Sequence, residues 1–140
     1  MALKYSLVLR KDLRKEAQEG SMLYFGQVRS SDRITFVELC DLISARSTAS
    51  SGDVKLVIDG LLTALKLNLS KGNIVDFGEL GSFRMTAGSI GSPLAEDFSS
   101  RLFKKGKIVF TPGADLRELC ATLNFEKLTF VPGTSEDDKE

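Results

Sequence analysis

The sequence predicts an α+β fold, and three patterns along the chain support this prediction. Residues 4–10 alternate between apolar and polar side chains, which is the period of a β-strand with one buried face. Two stretches between Thr35 and Leu69 repeat apolar residues at helical spacing, and each begins with a capping signal. Gly78 and Gly81 then separate short strand-like runs. Helices and strands grouped in this way are typical of the α+β class.

Two strands are predicted in residues 1–34, before the helices. Tyr5, Leu7 and Leu9 predict the buried face of the first strand, and the apolar run in residues 22–29 predicts the second. The charged segment between them is predicted to be a loop. Basic residues outnumber acidic ones in this extension, which indicates either a solvated surface or contact with phosphate. The basic residues that could make such contact are Arg10, Lys11, Arg14, Lys15, Arg29 and Arg33.

The first predicted helix begins at a complete capping signal. Thr35 is followed three residues later by Glu38, which is the spacing of a capping box. The helix is expected to run from Phe36 to about Ala45, with Cys40 among its inward residues. Loss of the Thr35 cap is expected to cost roughly 1 kcal/mol.

A longer helix is predicted from the Ser50 cap to about Leu69, with Asp53 completing a second capping box. Its apolar residues cover a wider part of the helix surface than packing against one core requires, so the helix needs a second surface to cover them. A second copy of the chain or the N-terminal strands would provide that surface. The main stripe consists of Val54, Val57, Ile58, Leu61, Leu65 and Leu69, and the second stripe consists of Leu56, Gly60, Thr63 and Leu67.

Residues 84–106 carry the densest group of basic side chains. Within this region Ser92 and Pro93 have the sequence of a helix start, and Leu94 begins an apolar helical spacing. The region is therefore predicted to be either an extended ribbon or a short helix packed on the body. A strand over residues 107–110 and a last helix from Ala114 to about Asn124 follow.

Composition excludes several function classes. The chain has no histidine, P-loop or Gly-x-Gly-x-x-Gly motif, and the spacing of Cys40 and Cys120 is not that of a metal site. We therefore expect no enzyme activity, no cofactor, no metal site and no small-molecule substrate. Both cysteines are predicted to be small buried hydrophobic residues, and unpaired thiols suit a reducing cytoplasm. The sequence shows no secretion signal and no segment long enough to span a membrane.

The formal net charge is zero, but the charges are unevenly distributed. Residues 129–140 are predicted to be a disordered acidic tail with four acids and one lysine. The remaining residues carry 18 basic and 15 acidic side chains. The body of the protein is therefore basic despite the neutral total.

The stretch from Gly78 to Phe83, Gly-Glu-Leu-Gly-Ser-Phe, resembles the Gly-Phe-Gly-Thr-Phe turn of the HU/IHF family of bacterial histone-like proteins. The resemblance covers residues 35–123 and includes the two preceding helices, so the chain is similar to divergent HU-like proteins with an N-terminal extension. It implies an intertwined homodimer: a two-helix hairpin, then an antiparallel sheet with an arm and a C-terminal helix. The implied divisions are an extension (1–34), an HU-like domain (35–128) with its arm (84–106), and the tail (129–140).

By this resemblance, the chain is expected to bind double-stranded DNA in the bacterial cytoplasm, as a nucleoid-associated protein that compacts or bends DNA without reading its sequence. The arm's proline is a wedge in the family, which makes Pro93 with Leu94 the wedge candidate here. An HU-like scaffold that binds proteins instead is the alternative. The implied shared dimer core includes Leu61, Leu65, Leu80 and Phe83, and the implied DNA-binding residues are Arg84, Arg101, Lys104, Lys105 and Lys107.

Overall fold

The computed structural model describes residues 1–128, which form three α-helices, two three-stranded sheets and three short 3-10 turns. The elements, in chain order, are β1 (Leu3–Lys11), β2 (Met22–Val28), α1 (Phe36–Ser44), α2 (Ser51–Ser70), β3 (Val75–Asp76), β4 (Gly81–Thr86), β5 (Lys107–Pro112), α3 (Ala114–Ala121) and β6 (Phe125–Lys127). The α+β class predicted from the sequence is confirmed. The predicted disordered tail lies outside the described residues.

The chain divides into two compact units. The terminal unit consists of Met1–Arg33 together with the residues from Thr122 onward, and it contains β1, β2 and β6. The central unit consists of Ile34–Ala121 and contains the three helices and strands β3, β4 and β5.

The sheet of the terminal unit has the strand order β2-β1-β6. Strands β1 and β2 are antiparallel, with Leu7 opposite Gly26. Strand β6 is parallel to β1, with Lys4 opposite Glu126, and these two side chains form an ion pair of 2.5 Å between Nζ and Oε2. The parallel pairing of β6 with β1 leaves no local signal in the sequence, because the two strands lie near opposite ends of the described residues.

The prediction that one face of β1 is buried is wrong for two of its three residues. Leu7 is 46% exposed and Leu9 is 47% exposed. The terminal unit contains no helix and no second sheet among its described residues, so no other described element of this unit forms a layer over the sheet. The alternating pattern predicted the strand correctly, but it does not show whether another layer covers the apolar face.

The loop between β1 and β2 is held by a buried carboxylate. The side chain of Asp12 is 3% exposed and accepts hydrogen bonds from the backbone N–H of Arg14 at 3.0 Å and from its Nη2 at 2.8 Å. These bonds from Arg14 lower the pKa of the Asp12 carboxyl below its ordinary value of 3.8. The loop is therefore tied to its own base by a charge-assisted contact.

Both predicted capping boxes are present. The Thr35 hydroxyl accepts from the backbone N–H of Glu38, and the Glu38 carboxylate accepts from the backbone N–H of Thr35 at 2.7 Å. Ser50 and Asp53 form the same reciprocal pair at the start of α2. Each pair satisfies amide groups that the first helical turn leaves unbonded.

Two glycines, Gly81 at the start of β4 and Gly113 just after β5, make the turn before β4 possible. Gly81 has a φ of +132°, and a Cβ there would lie 2.2 Å from the carbonyl oxygen of Thr111. A Cβ on Gly113 would lie 1.9 Å from the carbonyl oxygen of Glu79. Gly81 separates two strands as predicted, whereas the need for glycine at 113 was not foreseen, because it depends on a contact with Glu79, which is distant in the sequence.

The last helix is shorter than predicted and ends at Ala121, since residues 122–124 lead into β6. Cys40 is buried as predicted, but Cys120 is exposed. The prediction for Cys120 is wrong because no described element covers its side of α3.

Candidate nucleic-acid interface

The sheet β3-β4-β5 separates apolar from basic side chains onto its two faces. Strands β4 and β5 are antiparallel, with Phe83 opposite Phe110 and Met85 opposite Ile108. Directly opposed residues share a face, and neighbouring residues along a strand point to opposite faces. These four apolar residues therefore lie on one face of the sheet, the face turned toward α2.

The opposite face carries two of the predicted basic residues. Arg84 is opposite Val109, and Lys107 is opposite Thr86, so both cations lie on the face away from α2. They are diagonal neighbours across the two strands, a relation that places side chains roughly 7–8 Å apart. The register thus brings together two cations that are 23 positions apart in the sequence.

The other three predicted cations follow in the segment that returns to β5. Arg101 lies in a 3-10 turn at Ser100–Leu102, and Lys104 and Lys105 come between that turn and the strand. All five cations of the group are exposed. Within residues 1–128, none of the five makes a side-chain ion pair or hydrogen bond, so their charges are available to an external anion. We call this group the arm cations: Arg84, Arg101, Lys104, Lys105 and Lys107.

The arm region of residues 84–106 is not an α-helix. Backbone pairing continues beyond the sheet, with the N–H of Lys104 donating to Gly88 at 2.8 Å and the N–H of Ile90 donating to Leu102 at 2.9 Å. Of the two predicted alternatives, the short helix that would begin at Ser92 and Pro93 is wrong: Leu94 has an extended backbone, and only 3-10 turns follow within the arm region. The apolar spacing instead serves an edge-to-face contact between Phe98 and Phe103, with ring centroids 5.6 Å apart.

The wedge candidates lie in the loop at the end of this paired segment. Pro93 is exposed, and Leu94 is 60% exposed. The hydroxyl of Ser92 donates to the carbonyl of Leu94 at 2.8 Å, which closes a local turn around Pro93. Glu96 and Asp97 follow in a 3-10 turn and reduce the positive charge near the tip.

An apolar groove lies between α2 and the sheet. It has a volume of about 290 Å³ and is bordered by the helix residues Leu62, Leu65 and Leu69 and the sheet residues Phe83, Met85 and Ile108, with Lys66 and Ser70 at its edge. Phe83 is partly buried there, with its ring 4.9 Å from Phe110 and 5.2 Å from Phe77 between centroids.

Much of the long helix remains uncovered. Among its apolar residues only Val54 and Leu69 are buried, whereas Leu61 of the main stripe is 37% exposed and Leu56 of the second stripe is 71% exposed. Leu80, in the turn before β4, is 50% exposed. All four residues predicted for the dimer core thus belong to the central unit and retain exposed surface in the single chain.

No group of three or more metal-ligating side chains occurs among residues 1–128. In the same range, no helix combines the length and hydropathy that crossing a bilayer requires.

Comparison with known proteins gives a family and a fold. Residues 1–127 match the family described as HU-HIG, an HU domain fused to wHTH, Ig, or Glycine-rich motif. The fold is similar to the crystal structure of a "Putative bacterial DNA binding protein" from Bacteroides vulgatus ATCC 8482, with a TM-score of 0.63 and 16% sequence identity. The alignment covers 94% of this chain and 50% of that one, so this chain spans about half the length of the solved protein. No curated protein is significantly similar to this chain. The predicted resemblance to HU-like proteins is thereby confirmed.

Proposed function

Because the chain belongs to the HU-HIG family of HU-type domains, we propose that it binds double-stranded DNA as a homodimer, without reading sequence, and bends or compacts it. The DNA contacts lie in the arm region, residues 84–106, and in the adjoining Lys107. The HU-like DNA-binding domain spans residues 35–128, and the extension of residues 1–34 lies outside it. The fold similarity to a protein described as DNA-binding supports the same proposal.

The observation that carries this proposal is the division of the β4–β5 sheet into an apolar face and a basic face. A second chain that covers the groove beside Phe83 buries the apolar face and leaves Arg84 and Lys107 exposed on the other. Pairing and polyanion binding therefore use opposite surfaces and do not compete. A dimer presents two sets of arm cations, ten in total.

The positions of the arm cations favour contacts with the phosphate backbone over contacts with base edges. The arm cations come from a strand, a 3-10 turn and a connecting segment, and none lies on a helix that could enter a major groove. Cations at an exposed surface bind the phosphate backbone and release counterions, which makes affinity dependent on salt. If about six of the ten cations reach phosphates, log affinity falls with log salt at a slope near −5.

Bending requires a wedge in addition to charge. Pro93 and Leu94 present an exposed apolar surface at the end of the arm, where a base step could be opened. Bending a site by 40–90° costs on the order of 1–6 kcal/mol, which added contacts must offset. DNA that is already kinked or interrupted lowers this cost, so the proposal includes a preference for such DNA.

The direct test is a gel-shift titration of a duplex, a nicked duplex and a four-way junction at about 50 mM salt, where phosphate contacts are strong. We expect binding to all three, with higher affinity for the nicked duplex and the junction. Failure to bind any of them would contradict the proposal.

A second candidate function is a protein-interaction module on the same scaffold. The exposed apolar groove beside Phe83 and the zero net charge favour it. The two functions differ in the role of the arm cations, because a groove that binds a protein partner does not need them. If the parent protein binds none of the three DNA forms, the protein-interaction function is preferred.

A further inference from the structure

One face of the terminal sheet combines apolar side chains with arginines. Phe25 lies opposite Val8 in the register of β1 and β2, and directly opposed residues share a face. Alternation along each strand adds the residues two positions away. Arg29 follows β2 and belongs to the same face, because its Nε donates to the Ser6 hydroxyl at 2.7 Å. We call this surface the Phe25 face, and it includes Ser6, Val8, Arg10, Leu23, Phe25 and Arg29.

Both arginines of the Phe25 face are available to an anion. Neither makes an ion pair among residues 1–128, and both are exposed. Two acids of the terminal unit have cationic partners of their own: Asp12 is buried and bonded to Arg14, and Glu126 is paired with Lys4. These two acids therefore do not cancel the positive charge of the arginines.

An open groove adjoins Phe25 at the loop end of the sheet. It has a volume of about 630 Å³, and ligand sites typically have volumes of roughly 300–1,000 Å³. Phe25 is 45% exposed, so part of its ring is accessible to a ligand. Glu16 and Glu19, the other acids of the loop between β1 and β2, do not line the groove. Besides the buried Asp12, the lining consists of three cations and three apolar side chains, which are Arg10, Lys11, Arg14, Leu13, Leu23 and Phe25.

An exposed aromatic ring beside free guanidinium groups matches the chemistry of a single-stranded nucleic acid. Each unpaired base presents a flat surface that stacks on an aromatic side chain, and each phosphate binds a cation. Duplex DNA offers the same phosphates, but it offers Phe25 no free base surface, because its bases are stacked on one another. The combination therefore favours a single strand over a duplex.

The spacing of the two arginines indicates a strand of several nucleotides and not a single nucleotide. The N–H of Arg29 donates to the carbonyl of Lys4 at 2.8 Å, so Arg29 is level with Lys4. Arg10 lies six positions farther along β1, a distance of about 20 Å. Phe25 is level with a position between these two ends. A strand that follows the face can therefore reach both arginines while one of its bases covers Phe25.

We propose that the Phe25 face is a second nucleic-acid site, which binds a single strand with a base stacked on Phe25 and phosphates on Arg10 and Arg29. This goes beyond the proposed function, which assigns duplex contacts to the arm region and leaves residues 1–34 outside the DNA-binding domain. The arm cations belong to the central unit and the Phe25 face to the terminal unit. Each site can therefore be altered without replacing a residue of the other.

Fluorescence anisotropy of a labelled strand of about eight thymidines tests this inference, because single-strand sites hold roughly 4–16 nucleotides. The arm cations attract any phosphate, so the measurement uses the full chain with Lys104, Lys105 and Lys107 replaced by Ala, at about 50 mM salt. This triple variant should still bind the strand. Adding Phe25→Leu should weaken the affinity at least about fivefold, which is the smallest effect of losing one stacked base.

Tyr24→Leu in the same triple variant is the matched control. Tyr24 is the neighbouring aromatic residue on β2, is 70% exposed and lies on the opposite face of the sheet. Its replacement should leave the affinity for the thymidine strand unchanged, and circular dichroism should show the same fold in both variants. Equal affinities of the Phe25→Leu and Tyr24→Leu variants would overturn the inference.

Arg10→Gln provides a second measurement that leaves Phe25 in place. Loss of one phosphate contact with a single strand reduces the salt slope of binding by about 0.7. Lys55→Gln is the control, because Lys55 is exposed and belongs to the central unit. An Arg10→Gln variant with the same salt slope as this control would contradict the phosphate contact.

Two competitors test the chemistry of the ligand. Unlabelled thymidine strand should displace the labelled one, whereas polyglutamate of equal charge should displace it poorly, because it has no bases to stack. Equal displacement by polyglutamate would contradict the inference, since the face would then bind negative charge alone.

Duplex binding separates this inference from the proposed function. Phe25→Leu in an otherwise unaltered chain should leave duplex affinity unchanged, and an equal loss for duplex and single strand would contradict a single-strand site. A parent chain that binds the thymidine strand through Phe25 but binds no duplex, nicked or junction DNA would contradict the proposed function and support this inference.

Discussion

Gly81 is the residue at which the turn between β3 and β4 depends most on the absence of a side chain. Its positive φ favours glycine, and the carbonyl oxygen of Thr111 occupies the place that a Cβ would take. The N–H of Gly113 donates to Leu80 at 3.0 Å from the other side of the same contact. This turn therefore joins β4 to the end of β5 through backbone atoms.

We predict that Gly81→Ala lowers the free energy of unfolding by at least about 2 kcal/mol, because strained φ and a backbone collision act together. Chemical denaturation followed by circular dichroism measures the change. Gly91→Ala is the control, since its φ is not positive and a Cβ there meets nothing within 4 Å. Equal stability of the two variants would contradict this role of Gly81.

The Asp12 carboxylate makes the stability of the terminal unit depend on pH in the acidic range. Its pKa is lower in the folded chain than in the unfolded chain, because Arg14 stabilises the carboxylate. The contribution to stability is therefore complete above the unfolded pKa near 3.8, and it is lost as the pH falls through the folded pKa.

The chain offers a local probe for this effect. Both tyrosines, Tyr5 and Tyr24, lie in the terminal unit, and the chain has no tryptophan, so tyrosine fluorescence reports on that unit. We expect Asp12→Asn to lower the thermal midpoint at pH 7 and to weaken its decline between about pH 5 and pH 2. Glu16→Gln is the control and should match the parent. An unchanged acid profile in Asp12→Asn would rule out this account.

At the scale of elements, the sequence predicted best where the signal is local. The capping boxes at Thr35 and Ser50 involve residues three apart, and both helices begin where predicted. The sequence also indicated that the arm cations lie close together along the chain. It could not show that Arg84 and Lys107 share a face, because this depends on the register between β4 and β5.

Elements were mispredicted where distant contacts decide the outcome. The apolar spacing after Pro93 indicated a helix, but backbone pairing between residues 88–90 and 102–104 holds the segment extended. The parallel pairing of β6 with β1 and the contact between Gly113 and Glu79 likewise join residues far apart in the chain. A single sequence carries no local trace of such partners.

The cap of α1 should contribute a measurable share of stability. We predict that Thr35→Ala lowers the free energy of unfolding by about 1 kcal/mol, because an amide of the first turn loses its acceptor. Thr63→Ala is the control: the Thr63 hydroxyl donates to the carbonyl of Asp59 within α2, and its loss should be nearly neutral. If Thr63→Ala lowers the free energy of unfolding as much as Thr35→Ala does, the cap makes no special contribution to stability.

The arm cations should determine the salt dependence of DNA binding. Replacing Lys104, Lys105 and Lys107 by Ala removes six of the ten cations of a dimer. We therefore expect weaker binding and a salt slope reduced from near −5 to about −2. Fluorescence anisotropy of a labelled duplex at several salt concentrations measures both quantities.

The matched control replaces three exposed lysines outside the arm, Lys55, Lys71 and Lys127, by Ala. It removes the same charge, so it should retain the steeper slope if position matters. Identical behaviour of the two triple variants would show that total charge, and not the arm, governs binding.

At the scale of the whole molecule, one chain leaves too much apolar surface uncovered for its central unit to be complete. Among residues 1–128, only Cys40, Val54 and Leu69 are buried apolar residues. A single hydrophobic core normally buries many more. The groove beside Phe83 and the exposed stripes of α2 are surfaces that a second chain would bury.

Phe83 should couple folding to pairing. Its ring contacts Phe77 and Phe110 and borders the groove, so Phe83→Ala should cost about 3–5 kcal/mol if a second chain completes its burial. Stability should then also depend on protein concentration, because pairing contributes to folding. Thermal midpoints at several concentrations measure this; midpoints that do not depend on concentration in the parent protein would contradict the coupling.

The mass of the protein in solution tests the central claim most directly. Light scattering coupled to size exclusion, in the absence of DNA, should give about twice the protomer mass of 15.3 kDa. A well-folded species at 15.3 kDa across the concentration range would contradict the claim that two chains pair through α2 and the groove beside Phe83.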